Sequence, residues 1–345
     1  MGGPQSPGGP GLARALDAAL DASVVGGFSR LGYLLRRGVE RWGPPPGIPG
    51  ANAVVVGASS GIGRAIAVGL AAAGAEVCLV GRDERRLAEA AAAADRARVA
   101  GSAGSAGSAG SGGNGRPART ASVDVTDAVA TGAFVRRLAD EHDRLTVLVH
   151  AAGNLLRRHT VVADGTEATV ATHVLAPFRL TLLLAPLLRA GGGRIVTVSS
   201  GGMYLARLDV ARLDPGPAAY DGRRSYALAK RAQVVLADLW ADRLGGDVAS
   251  YAQHPGWVDT PGLASGLPGF THLGPLLRRP DEGADTAVWL AAGGALPERR
   301  GFYHDRHRRS LHRLPATTMP PATAAAEAAA LWGFCAERTG LGADT

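Results

Sequence analysis

Up to Trp42 the chain places an apolar residue at about every fourth position, and after Gly50 short apolar runs alternate with longer helical ones. In the first part Leu12, Leu16, Leu20, Val24, Phe28, Leu31 and Leu35 share that spacing, with Arg30, Arg36, Arg37 and Arg41 toward its end. The pattern predicts one amphipathic helix within an N-terminal extension, residues 1–49, whose first ten residues are expected to be disordered. Gly26, Gly27 and Gly32 interrupt the helix and Pro44-Pro45-Pro46 stops it. Further on, the apolar runs at Ala53 to Val56, Glu76 to Val80, Thr146 to Val149 and Arg194 to Val198 read as buried strands. The stretches between them, Ile62 to Ala73, Asp127 to Glu141, Thr166 to Leu188 and Ser225 to Leu244, read as helices. Apolar strands alternating with helices predict an α/β domain, a parallel sheet covered on both faces, over residues 50–315. Residues 101–117, with Ser-Ala-Gly repeated from Ser102, are expected to form a flexible loop. Thr323 to Arg338 predicts an Ala-rich helix in a C-terminal tail, residues 316–345.

Composition narrows the function. Of 345 residues, 46% are hydrophobic and 19% charged, enough apolar material for a core and too much for a disordered chain. Two cysteines, Cys78 and Cys335, exclude a disulfide framework or a thiolate metal cluster and fit a reducing, cytoplasmic setting. The formal charge of +7 invites a nucleic-acid reading, but the arginines are scattered rather than striped, so no nucleic-acid partner is expected. His304, His307 and His312 lie among arginines that repel a cation, so no metal is expected. No run of 18 uninterrupted apolar residues predicts a membrane span. The segment 12–42 is expected to dock on the domain, with peripheral binding to a membrane surface as the competing reading. Among 37 Lys plus Arg, Lys230 is the only lysine, which singles it out for chemistry that needs a compact ammonium.

Two constellations carry that chemistry. The first strand runs into Gly57-Ala58-Ser59-Ser60-Gly61-Ile62-Gly63. A glycine turn between strand and helix brings backbone N–H groups and a helix N-terminus against a pyrophosphate. The second strand ends at Arg82, with no acidic residue at its tip although Asp83 follows. An arginine there suits the 2′-phosphate of NADP, an acid the 2′-hydroxyl of NAD. In the second constellation, Tyr226 and Lys230 stand four apart on one predicted helix and so share a face. A neighbouring ammonium lowers the pKa of a phenol and fits it for acid–base work. Ser200 closes the strand ending at Val198, where ligands collect in open α/β sheets.

With these residues in place the chain resembles the short-chain dehydrogenase/reductase family. The resemblance also rests on Asp124-Val125, Ala151-Ala152-Gly153, Val198-Ser199-Ser200, Tyr226-Ala227-Leu228-Ala229-Lys230 and Pro255-Gly256-Trp257-Val258-Asp259-Thr260. Ser199-Ser200-Gly201-Gly202-Met203, the phrase from His254 to Gly262, and Gly283-Ala284-Asp285-Thr286 resemble its branch of dehydrogenase/reductase SDR family member 12. The resemblance implies a Rossmann-type doubly wound parallel sheet. It implies that Ser200 orients a substrate oxygen, that Tyr226 is the acid or base, and that Lys230 tunes Tyr226 and holds the nicotinamide ribose. Asp124 and Val125 would flank the adenine, Ala151 and Gly153 would border the cofactor, and Pro255, Gly256, Val258 and Thr260 would cover the nicotinamide.

The chain also departs from the family pattern. Ser200 and Tyr226 are 26 positions apart, about double the usual gap, so residues near Tyr204 to Asp221 are expected to form a loop over the substrate. His150-Ala151-Ala152-Gly153 replaces the usual Asn-Asn-Ala-Gly, and Val56 replaces a threonine. His173 stands where a helix asparagine relays protons; either histidine fills that role, or His173 is a half-buried helix residue and the relay is weakened. The expectation is an NADP-preferring oxidoreductase, with NAD as the other cofactor, acting on a small-molecule carbonyl or alcohol, of which a lipid-like one is one reading. The alternative is a dinucleotide-binding scaffold or sensor with little catalysis. Relatives often pair through the helices that here are Thr166 to Leu188 and Ser225 to Leu244, so a homodimer is a further expectation.

Overall fold

The structure, a computed structural model, describes residues 10–104, 116–266, 268–293 and 298–342. Eight strands form one sheet: β1 Asn52–Val56, β2 Glu76–Gly81, β3 Arg119–Ser122, β4 Val147–His150, β5 Arg194–Val198, β6 Ala249–Gln253, β7 Arg300–His304 and β8 His307–Arg308. Their order is β3-β2-β1-β4-β5-β6-β7-β8, and every pairing is parallel except the last, β7 with β8. Chain order reverses between β1 and β4, and such a switch point opens a crevice at the strand ends. Two apolar clusters, one on each face, bury the sheet, as a parallel sheet requires. Ser250 and Gln253 on β6 and His304 on β7 are buried polar residues, so these strands carry no continuous apolar run.

The predicted helices are present with shifted ends. The first, α4 in chain order, spans Gly61–Ala72. A central helix spans Ala168–Ala190 and contains a π-helical turn at Ala171–Leu175. Its mean hydropathy of 1.5 and its length would suffice to cross a membrane, but most of it is core. Another helix spans Gly222–Arg243, started by Asp221 accepting from the N–H groups of Arg223 and Arg224. The C-terminal helix Pro321–Thr339 packs on these two, with Trp332 edge-on to Phe178 at 4.9 Å and beneath Arg243. It thereby contacts both helices named above for a homodimer.

Three expectations need correction. Residues 101–104 close a helix, Glu84–Gly104, rather than beginning the loop; residues 105–115 of that loop, like residues 1–9, lie outside the described residues. The stretch Tyr204 to Asp221 is not simply a loop over the substrate. Tyr204, Leu208 and Leu213 are buried, and the Val210 N–H donates to Glu327 of the C-terminal helix. The single N-terminal helix is three: α1 Pro10–Ala22, α2 Val24–Phe28 and α3 Arg30–Val39. Ser23 caps α2 by accepting from the Gly26 N–H, and extended Ser29 separates α2 from α3. A side chain at Gly32 would overlap the Gly26 carbonyl, so the glycines that weaken a straight helix permit this fold-back.

Buried charge fastens this segment. Arg36, fully buried, donates to Asp305 at 2.7 Å, to Asp17 at 2.7 Å and to the Gly27 carbonyl at 3.2 Å. Arg278 donates to both oxygens of Asp305 and to the Gly27 carbonyl. Burial pushes the Asp305 carboxyl up, but Arg278, His304 and Arg36 outweigh it and hold it well below the usual carboxylate range. Asp305→Ala would leave two buried guanidiniums without their shared partner. Stability should fall by about 3–5 kcal/mol at neutral pH, read from urea unfolding, with residues 10–42 the first cleaved by protease. A carboxyl with a lowered folded pKa stabilises above its unfolded value of about 4 and loses that effect as pH falls. The gap between wild type and variant should therefore shrink on acidification.

Candidate active site

The switch point is built around one close approach. After β1 the chain turns at Gly57 (φ 85°), whose N–H and that of Ala58 donate to the Val80 carbonyl. A Cβ at Gly57 would overlap the Ala152 backbone, and one at Gly63 would overlap the Gly57 carbonyl. The turn is thus pressed onto Ala151-Ala152-Gly153, which leaves β4. Ser60 precedes α4 without capping it through its side chain, so the first N–H groups of the helix receive no protein side-chain cap there. At Gly61 (φ 54°) a Cβ would sit 3.2 Å from Thr260, which brings the segment from Pro255 to Thr260 across the turn. Gly57, Ser59, Ser60, Gly61, Ile62 and Gly63 therefore form a glycine cradle at a helix N-terminus, which fits a dinucleotide pyrophosphate.

The tips of β2 and β3 lie to one side. Arg82 is exposed and 3.9 Å from Asp124, while Asp83 is engaged by the Arg86 N–H and guanidinium. Asp124 accepts from the Thr126 N–H and hydroxyl, and Val125 is buried. On the other side, Gly256 (φ 79°) has no room for a Cβ, which would lie 2.5 Å from Arg278 Nε and 2.6 Å from the Phe28 carbonyl. The Phe28 carbonyl accepts from the Trp257 N–H at 2.8 Å and from Arg278 Nε at 3.1 Å. Pro255 and Val258 are buried over this support.

Ser200, Tyr226, Lys230 and His173 converge. A Cβ at Gly202 would lie 3.4 Å from Ser200 Oγ and 3.5 Å from Tyr226 Cε1, and the Ser200 hydroxyl accepts from the Gly202 N–H at 3.1 Å. Lys230 Nζ lies 5.6 Å from the centre of the Tyr226 ring. It donates to the Val198 carbonyl at 2.9 Å and to Gln233 Oε1 at 3.0 Å. His173 sits in the π-turn with its ring edge-on to Tyr226 at 5.6 Å. Its Nε2 faces the Asn154 N–H at 3.1 Å and the Asn154 carbonyl at 2.8 Å, while its buried Nδ1 has no hydrogen-bond partner. A Cβ at Gly153 would lie 2.8 Å from the His173 ring, so the glycine turn, Gly153, His173 and Tyr226 form one contact chain.

Burial sets the electrostatics. It raises the Tyr226 phenol above its ordinary value, opposed by the Ser200 hydroxyl, and pushes Lys230 down to about 7. Burial, and then the charge of Lys230, press His173 well below its usual range and keep it neutral. In this arrangement desolvation, rather than a lowering of the phenol by Lys230, governs Tyr226, which is held as a proton donor. His150 is likewise buried neutral, down to about 3, and bonded to Thr181. Sequence reading missed Asn154, which adjoins the Ala-Ala-Gly motif, and Gln233, one turn beyond Lys230. It also missed Phe28 as a site residue. A Cβ at Gly201 would lie 2.7 Å from its ring, and no local pattern announces that contact.

Comparison with known proteins gives the same outline. A family model described as short chain dehydrogenase matches residues 51–266. Human dehydrogenase/reductase SDR family member 12 is 36% identical over 278 residues, 79% of this chain and 81% of that protein. Mouse polyprenol dehydrogenase is 34% identical over 318 residues, 84% of this chain and 86% of that protein. A crystal structure of an uncharacterized protein from Mycobacterium paratuberculosis superposes with a TM-score of 0.63 at 25% identity, covering 86% of this chain and 96% of that one.

Because Lys230 is the only lysine, isotope labelling of lysine gives a single side-chain signal. Its titration in the folded protein should have a midpoint near 7. A midpoint near the ordinary lysine value, about 10.4, would contradict the burial described above.

Proposed function

The chain belongs to the short-chain dehydrogenase/reductase family, and from that premise we propose that it is an NADP(H)-preferring enzyme that interconverts a carbonyl and an alcohol on an apolar, lipid-like molecule. As a member of that family it is a Rossmann-fold oxidoreductase using a nicotinamide dinucleotide. The observation that carries the finer reading is the convergence of Ser200, Tyr226 and Lys230 on the space reached from the glycine turn through Gly153. The bound dinucleotide supplies or takes up hydride; the chain supplies position and protons. Ser200 holds the substrate oxygen, and Tyr226, kept protonated by burial, donates to it in reduction; in the oxidative direction the phenol would first have to lose that proton. Lys230 would hold the nicotinamide ribose, and His173, neutral and with an unpartnered Nδ1, packs edge-on against Tyr226.

The preference for NADP is supported by the exposed Arg82 guanidinium at the β2 tip, next to Gly81, where a Cβ would lie 3.4 Å from Ser59, and by the engagement of Asp83 within its own turn. A lipid-like substrate is supported by the aromatic wall beside Ser200. Phe28 meets Trp257 edge-on at 6.2 Å, and Trp257 meets Phe270 edge-on at 5.5 Å. The similarity to a polyprenol dehydrogenase points the same way. Cys78 and Cys335 are buried free thiols, which supports a reducing, cytoplasmic setting.

The test is titration with NADPH and NADH, followed by turnover on a panel of apolar ketones and aldehydes. Loss of a charge-assisted contact is worth about 1.5–3 kcal/mol, so Arg82→Asp should lower kcat/KM for NADPH by about 10- to 100-fold and that for NADH far less. Equal losses with both dinucleotides would contradict the assignment of Arg82. No binding of either would contradict the reading as a whole.

A further inference from the structure

The outer side of the N-terminal segment is apolar where a docked element should be polar. Among the described residues, twelve large apolar side chains are exposed, and six of them, Leu12, Val24, Val25, Leu31, Leu34 and Leu35, belong to α1–α3. On α3 the spacing of Leu31, Leu34 and Leu35 puts them on one face, opposite Gly32, Tyr33 and Arg36, which are buried. Val24 and Val25 are likewise exposed on α2, while Gly27 and Phe28 face inward. Docking on the domain has therefore used one side of these helices and left the other without a protein partner.

The charge around this face is one-sided. The acidic residues of the segment are engaged on its inner side: Asp17 with buried Arg36 of α3 and with Arg309, Asp21 with Arg313, Glu40 with His307. Arg37 borders the leucine stripe on α3 and Arg14 lies on α1, both exposed. An apolar stripe with a basic border matches an anionic lipid surface, where leucines enter the headgroup–acyl boundary and arginines meet the phosphates. A second copy of the chain fits less well. In a twofold contact through this face both copies would bring the same basic border and no acidic one to meet it.

We propose that the outer face of α2 and α3 docks on an anionic membrane surface. Phe28, on the inner side of α2, packs on Gly201 next to Ser200, so a membrane held on the outer side lies one helix away from the catalytic groups. The proposal rests on the functional reading above only for the substrate that the membrane would supply.

Flotation of the full-length protein with vesicles tests it. The protein should float with vesicles of phosphatidylcholine plus phosphatidylserine, float less with phosphatidylcholine alone, and be released by salt. The triple variant Leu31→Ser, Leu34→Ser, Leu35→Ser should lower the bound fraction by about tenfold or more. Its NADPH-driven turnover of a water-soluble ketone should stay near wild type and its melting temperature should fall only modestly, because the three side chains are 39–55% exposed and point away from the domain. Arg37→Glu should weaken binding to the anionic vesicles alone. Wild type that floats with neither vesicle, or a triple variant that floats like wild type, overturns the proposal. So does a dimer that the triple variant dissolves while neither protein floats, which assigns the face to a second copy. Loss of ketone turnover with flotation intact would strike the catalytic reading and leave the docking face standing.

Discussion

The Lys230 ammonium lies under the end of β5, bonded to the Val198 carbonyl, and the site takes its shape from that contact. It joins the helix Gly222–Arg243 to the strand that delivers Ser200, and Ser199 strengthens the joint by donating to the Lys230 carbonyl. Four residues earlier on the same helix, Tyr226 is thereby set opposite Ser200. Burying an amine here is costly, and its lowered pKa reflects that cost. Purely structural packing would be served better by an apolar side chain. The burial of the chain's one lysine at this point fits a position that serves chemistry rather than packing.

A second constraint comes from the other end of the chain. The Gly27 and Phe28 carbonyls accept from Arg36, Arg278 and the Trp257 N–H, so the N-terminal segment supports the stretch that crosses the glycine turn. His254 and His304 stack face to face at 3.8 Å beneath it, both buried and pushed toward the neutral form by burial. The segment is therefore part of the wall of the site, and its inner and outer sides meet different demands. Inside, glycines and a phenylalanine allow close contact with Gly201; outside, leucines remain exposed.

Where the relevant forces are local, the sequence was readable. The apolar runs of β1, β2, β4 and β5 sit at or within a residue of their expected positions, because strands buried on both faces admit little else. The glycine turn and the Tyr226–Lys230 spacing were legible because a turn and a helix fix geometry over a few residues. What escaped depends on distant partners. The breaks at Ser23 and Ser29 follow from docking against Asp305 and Trp257, over 200 positions away. β6 carries buried Ser250 and Gln253, so its burial contradicts its polarity. The electrostatic expectation for Tyr226 also shifted, since spacing reveals that Lys230 is near but not how far both groups are desolvated.

The central claim is that Tyr226 delivers the proton while hydride passes between nicotinamide and substrate carbon. Reduction of a ketone with NADPH carrying deuterium at the nicotinamide C4 tests it most directly, wild type against Tyr226→Phe, with dinucleotide binding measured in parallel. The account predicts labelled alcohol from wild type and, from a variant that still binds the dinucleotide, label transfer slowed by about a hundredfold or more. Label transfer at the wild-type rate without the phenol would contradict it.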